Sequence, residues 1–152
     1  MKASSYVYDY LKSINREDLI IEYDLEPFEL EVQALERTFI DKLFAICDYY
    51  LDNKTNEHSR HIYDIFKISS IIKIDSNLKQ LFLKVREERR KHEKCLSAQD
   101  NVNIKSCLQQ IVDKDIYKDD FESITKSLIY EEIKYGEVKS NLQYIINSGL
   151  LD

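Results

Sequence analysis

The chain has only two glycines, Gly136 and Gly149, and one proline, Pro27. Sandwiches and barrels need many turns, and turns draw on both residue types. Their scarcity argues against an all-β fold and leaves helices as the main element. It also excludes a Gly-rich phosphate loop. A basic excess is missing too: the formal charge is -6 and the pI about 5.2. Proteins that hold nucleic acid usually show a basic footprint, so any RNA contact here must be local or shared with a partner. The three cysteines, Cys47, Cys95 and Cys107, are widely spaced and form no CxxC pair. Free thiols in a reducing cytosol are the simple reading. No apolar run is long enough to span a membrane, and the opening MKASSYVYDY lacks the apolar core of a signal peptide. A cytoplasmic protein with no membrane partner is expected.

What is present is 43% hydrophobic and 33% charged over 152 residues, enough for one domain with a real core. Ser4 to Ile14 places Tyr6, Val7, Tyr10, Leu11 and Ile14 at helical spacing, with Ser4 or Ser5 as cap. Leu19 to Tyr23 is a short β-branched and aromatic run, and Phe28 to Gln33 alternates strictly, so both read as short strands. Thr38 followed by Asp41 resembles a capping arrangement. The helix it would open buries Phe39, Ile40, Leu43, Phe44, Cys47, Tyr50 and Leu51. Asp52 to Glu57 is loop. The next helix buries Ile62, Ile65, Phe66, Ile68 and Ile72. A third starts near Asp75 with Leu78, Leu81, Phe82 and Val85 in its apolar row, then turns highly charged through Lys94. Shorter helices are expected at Ile104 to Val112, Tyr117 to Tyr130 and Gly136 to Asn147, with Gly149 suited to a C-terminal cap. The expected fold is mainly α: a helical bundle over 35–152, preceded by a short helix and β element over 1–34, in one compact unit.

Three groups could carry chemistry. Lys42 has small residues, Thr38 and Ala45, as helical neighbours, which leaves room for a phosphate beside its ammonium. The ordinary alternative is a surface lysine covering apolar area with its stem. Asp64 could accept a hydroxyl proton or hold an Mg²⁺-nucleotide; the ordinary alternative is an intrahelical ion pair with Arg60 or Lys67. Spacing alone favours the ordinary account in both cases. His58 and His61 lack a third ligand for a metal and read as solvated or capping histidines. The run Lys84 to Lys94 interleaves Glu87, Glu88 and Glu93 and reads as a solvated helix face. Tyr6, Tyr10, Tyr49 and Tyr50 read as core or rim residues.

Taken together, Glu36-Arg37-Thr38-Phe39-Ile40-Asp41-Lys42-Leu43-Phe44-Ala45 and Ser59-Arg60-His61-Ile62-Tyr63-Asp64-Ile65 resemble the downstream half of the AbiEii/AbiGii nucleotidyltransferase toxin family. Those proteins are similar to polymerase β-type nucleotidyltransferases and act in phage defence and toxin–antitoxin systems. The segments match the family's RTF-x-x-K helix and its R-x-x-[YF]-D helix, in order and spacing. Thr125 to Tyr130 and Leu142 to Leu151 also look like the family's C-terminal bundle.

The resemblance implies Asp64 as a catalytic residue and Lys42, Arg37 and Arg60 as substrate-binding residues. It implies an α+β enzyme that uses Mg²⁺ and NTP to place a nucleoside monophosphate on RNA, by resemblance tRNA. One departure matters. The family's Gly-Ser and its pair of metal-holding carboxylates lie upstream of the lysine helix, and no Gly-Ser precedes Lys42 here. Glu29 and Glu31 share a strand face but read as its solvent side. The chain thus resembles the C-terminal part of such an enzyme, inactive alone, with no metal ligand and no cofactor of its own. Expected partners are an N-terminal catalytic half, docking at the edge Phe28 to Gln33, or an antitoxin. A non-catalytic helical module that binds such a partner is the alternative.

Overall fold

The computed structural model describes residues 2–152. They divide into two compact units, the first ending at Gln33 and the second running Ala34–Asp152. Helices dominate, as composition requires, and a two-stranded antiparallel sheet lies near the N-terminus.

In the first unit, strand β1 (Lys2–Ala3) is followed by α1 (Tyr6–Ser13), capped by the Ser5 hydroxyl, which accepts from the Tyr8 amide. Next come α2 (Glu17–Glu22) and β2 (Phe28–Glu29). Two strand expectations are corrected here. Leu19 to Glu22 is helical, not extended, and Tyr23 is the C-cap: Tyr23 N–H donates to Leu19 O and Leu25 N–H to Ile20 O. Glu17 and Asp18 sit in the first turn of α2, where acidic residues complement the helix dipole. The alternating segment forms a strand only over Phe28–Glu29, and its partner is Lys2–Ala3, with Lys2 opposite Glu29. Among the described residues of this unit, only Leu11 and Ile20 are buried. Tyr6 and Tyr10 are exposed, not core or rim.

The second unit is built around α3 (Leu35–Leu51), which packs on α4 (Arg60–Ser69), α5 (Ser76–Arg90), a 3₁₀ turn (Leu96–Ala98) and α6 (Ile104–Asp113). α3 begins at Leu35, not at Thr38. Thr38 lies inside the first turn, where its hydroxyl donates to Ala34 O, a bond that leaves the side chain no capping role. Phe39, Ile40, Leu43, Phe44 and Cys47 are buried as the periodicity predicts, joined by Ile46; Tyr50 and Leu51 are half-buried. Asp75 caps α5 by accepting from the Asn77 and Leu78 amides. The final stretch is less regular than expected. α7 (Lys118–Asp120), a π-helical segment (Phe121–Thr125) and α8 (Lys126–Leu128) replace one helix, and α9 (Tyr135–Asn147) follows. Gly149, at φ +80°, lies just beyond α9, in the region that glycine adopts without a Cβ penalty.

The basic run is a solvated face only in part: Lys84, Glu87 and the stretch Lys91 to Lys94 are exposed, while three of its arginines turn inward. Arg86 donates to the carbonyls of Gln99 and Val102, and Arg89 bridges Asp41 and Asp48 on α3 at 3.1 and 2.9 Å. These arginines bind α5 to its neighbours. All three cysteines are free. Among the described residues no helix is long and apolar enough to cross a membrane.

Candidate functional site at the α3–α4 seam

α3 presents two polar faces. One carries Arg37, Asp41 and Asp48, which fall at 4 and 11 residue steps and so share a side. Arg37 bonds Asp41 at 3.1 Å and Glu88 of α5 at 2.7 Å. Its guanidinium belongs to the α3–α5 ion network. The other face carries Lys42 and, two turns on, Tyr49. This face meets the entrance of α4.

The entrance is shaped from below. Asp120, at the end of α7, accepts from the backbone N–H groups of Glu57 and Ser59 at 2.7 and 2.9 Å. Glu57 adopts φ +65° there. The buried Ser59 hydroxyl pairs with Thr125 of the π segment at 2.7 Å. These bonds fix where α4 starts, and hence where His58, His61 and Asp64 stand.

Lys42 Nζ lies 2.8 Å from Asp64 Oδ2 and 3.0 Å from His61 Nδ1. The two sequence segments singled out for chemistry therefore meet in one ion pair. Lys42 pairs with Asp64 across helices, in place of the intrahelical pair between Asp64 and Arg60. Behind this pair stands a stack of flat rings. Tyr49 lies on His58 with centroids 3.5 Å apart, and the rings of Tyr49 and His61 are parallel within 2° at 5.7 Å. His58 and His61 are thus packed into the seam, His61 only 8% exposed, and are not solvated caps. From the sequence, His61 reads as a solvated or capping histidine and Tyr49 as a core or rim residue, neither of them next to Lys42. The available signal was that Tyr49 follows Lys42 by two helical turns and His61 precedes Asp64 by one.

Arg60 takes a separate position, lining a cavity of about 310 Å³ with Glu57, His58, Ile124, Thr125 and Leu128. A cavity of about 460 Å³ near Ala34 and Leu78 shares no residue with the Lys42–Asp64 pair.

The side chains of Lys42 and Asp64 are 27% and 38% exposed, so a ligand can reach both. His61 and Lys42 hold the Asp64 carboxyl below the usual carboxylate range, against the desolvation of its half-buried position. Of the two, Lys42 is in bonding contact. His61 Nδ1 is 3.9 Å from Asp64, beyond hydrogen-bond reach, and faces Lys42 instead. Burial, then the charge of Arg60, holds the His58 imidazole below its ordinary value.

The pair could take a phosphate at Lys42, which is a compact point charge with three N–H donors. A two-metal centre does not fit these residues. Such a centre needs several oxygen ligands around each ion. The cluster offers one carboxylate, already paired with an ammonium. Among the described residues no group of three His, Cys, Asp or Glu side chains could hold a metal.

A family model described as "Nucleotidyl transferase AbiEii toxin, Type IV TA system" matches residues 9–143. The chain belongs to this family. Membership makes it a relative of nucleotidyl transferase toxins and implies an antitoxin counterpart. Comparison with curated proteins and with solved structures finds no match.

Proposed function

We propose that this chain supplies the lysine and aspartate of a nucleotidyl transferase site that moves a nucleoside monophosphate from NTP to RNA, with tRNA as the acceptor. Lys42 engages the triphosphate. Asp64 faces the attacking hydroxyl and takes its proton as the new oxygen–phosphorus bond forms and pyrophosphate leaves. The Mg²⁺ ligands come from carboxylates outside this cluster, on a partner segment that also brings the Gly-Ser helix. In this reading the protein is a cytoplasmic toxin of phage defence. The 2.8 Å contact between Lys42 and Asp64 carries the reading, because it joins the two family segments at one accessible point.

The test is incubation of the purified chain with labelled NTPs, Mg²⁺ and total tRNA, alongside ATP-binding measurements. The expected result is no incorporation and weak binding that falls further in Lys42→Ala. Incorporation that disappears in both Lys42→Ala and Asp64→Ala would show that no partner is needed. Identical ATP binding by wild type and Lys42→Ala would remove Lys42 from the site.

One observation favours a protein-binding role beside this chemistry. On α1 and its C-cap Ile14, the residues Tyr6, Val7, Tyr10 and Ile14 fall within about 100° of helix arc, and all are exposed. The same unit carries three Lys or Arg against eight Asp or Glu, a charge of -5 of the total -6. An apolar stripe in an acidic setting suits a protein face with an apolar centre and a Lys/Arg rim, and repels RNA. The polypeptide that brings the carboxylates is the occupant this reading assigns. Tyr6→Ser/Tyr10→Ser is expected to abolish reconstitution of transferase activity by that polypeptide, leaving ATP binding intact. Reconstitution unaffected by the double substitution would refute the assignment.

A further inference from the structure

His61 lies one turn before Asp64, almost wholly buried, with Nδ1 3.0 Å from Lys42 Nζ. An ammonium has three N–H groups and no lone pair. The contact is therefore a hydrogen bond only if Nδ1 brings the lone pair, which leaves the imidazole neutral with its proton on Nε2. Partial turns of the ring would break its parallel arrangement with Tyr49 and, 6.0 Å away, His58, and a half-turn, which keeps the plane, would put carbon Cδ2 in place of Nδ1 and lose the contact with Lys42. Lys42 has four rotatable carbons in its stem and would otherwise sample many positions.

We propose that His61 is a positioning residue, a neutral imidazole that aims the Lys42 ammonium. Asp64 supplies the opposing charge, and His61 supplies direction. Two of the three N–H groups are then committed, and the third is left for an incoming phosphate oxygen. Tyr49 and His58 act one step further back, by locking the plane of the His61 ring. The lysine thus waits in one pose for phosphate. This rests on reading Lys42 as the phosphate ligand, but the aiming itself can be tested without any nucleotide.

The experiment uses the full ¹⁵N-labelled chain near pH 7.5. Long-range ¹H–¹⁵N correlation should show His61 with its proton on Nε2 and Nδ1 as an acceptor. The Lys42 ammonium should give a resolved, slowly exchanging signal. In His61→Phe, which keeps a flat ring but removes the acceptor, that signal should vanish. In His61→Asn, whose amide oxygen can stand near the place of Nδ1, it should return. ATP, used as the probe, should bind about tenfold more weakly to His61→Phe, the factor a charge-assisted hydrogen bond carries, and recover in His61→Asn. A proton on Nδ1 in the wild type, or an unchanged Lys42 signal in His61→Phe, would overturn the proposal whatever ATP does. If the Lys42 signal behaves as expected while Lys42→Ala binds ATP normally, positioning stands and the phosphate reading falls. Should His61→Phe fail to fold, the wild-type tautomer and the His61→Asn signal still decide.

Discussion

The two units of the chain share an apolar vocabulary and use it in opposite ways. In Ala34–Asp152 the apolar stripes of α3, α4, α5, α6 and α9 close on one another, and the buried cluster runs from Phe39 to Leu151. In the first unit the stripe of α1 stays open: Tyr6 is 95% exposed, and Leu11 and Ile20 are the buried residues among those described. Charge divides the same way, with -5 in the first 33 residues and -1 in the remainder. Helical periodicity states which face is apolar; it does not state what covers that face. The second unit can hold a site because its own packing fixes the seam. The first unit has little packing of its own to fix anything.

The comparison breaks most visibly if apolar truncation costs the same in both units. Phe44 is fully buried, stacked on Phe82 at 5.2 Å, with the Arg89 guanidinium over its ring. Phe44→Ala should cost about 3–5 kcal/mol. Tyr10→Ala, on the open stripe, should stay within about 0.5 kcal/mol. Urea unfolding of the two variants measures both, and a Tyr10→Ala loss near that of Phe44→Ala would show that α1 is packed after all.

Ion pairs sharpen the contrast at a smaller scale. Asp48 takes Arg89 at 2.9 Å and both the amide and hydroxyl of Ser97, at 2.7 and 2.6 Å. Its side chain is 15% exposed. Asp48→Ala leaves the Arg89 guanidinium, whose Nε already lacks a partner, without half of its counter-charge. The expected loss is about 3 kcal/mol. Asp18, paired with Arg16 in the first unit with both side chains about half exposed or more, should show no measurable loss on the same substitution. Thermal melts of both variants make the test, and similar shifts would count against the contrast.

How much of this was legible in the sequence follows the same division. The rows Leu78–Phe82–Val85 and Leu43–Phe44–Cys47 are buried where the 3.6-residue period puts them, and Asp75 caps its helix as an aspartate before such a row should. Leu19 to Tyr23 misled because β-branching in a five-residue run resembles a strand, and the acidic first turn at Glu17 and Asp18 was the weaker signal. The pairing of Lys2–Ala3 with Phe28–Glu29 is too short and too distant in sequence to leave a periodic trace. Arg86 and Arg89 follow Phe82 by four and seven residues, which puts them on the buried side of α5; reading the run for charge alone hid that. At the candidate site, Lys42 and Asp64 were legible from the family segments. Their contact, and the part of His61 in it, needed the crossing of α3 over the start of α4, which Asp120 and Thr125 determine from 56 and 61 residues beyond Asp64.

The smallest effect expected is on pH dependence, and it too should respect the boundary at Gln33. The histidines are His58, His61 and His92, all in the second unit. Burial, followed by the neighbouring charge of Arg60, lowers the His58 value below 6.5 in the folded chain. The unfolded chain therefore binds this proton more readily. The stability His58 contributes is complete above the unfolded value, about 6.5, and is lost as pH falls through the folded value. Asp64 follows the same sign in a lower window. Its folded value is depressed by His61 and Lys42, so its contribution is complete above about 4 and is lost only below that. Between pH 7.5 and 5 the His58 loss should thus appear without the Asp64 one. Melting temperatures across that range should fall for the wild type and fall less for His58→Phe, which keeps a flat ring against Tyr49 and cannot take the proton. Amide exchange at Leu11 and Ile20, corrected for intrinsic pH effects, should not follow the trend. An equal slope in His58→Phe would assign the pH response elsewhere in the seam, and a parallel change at Leu11 would show that the two units do not open separately.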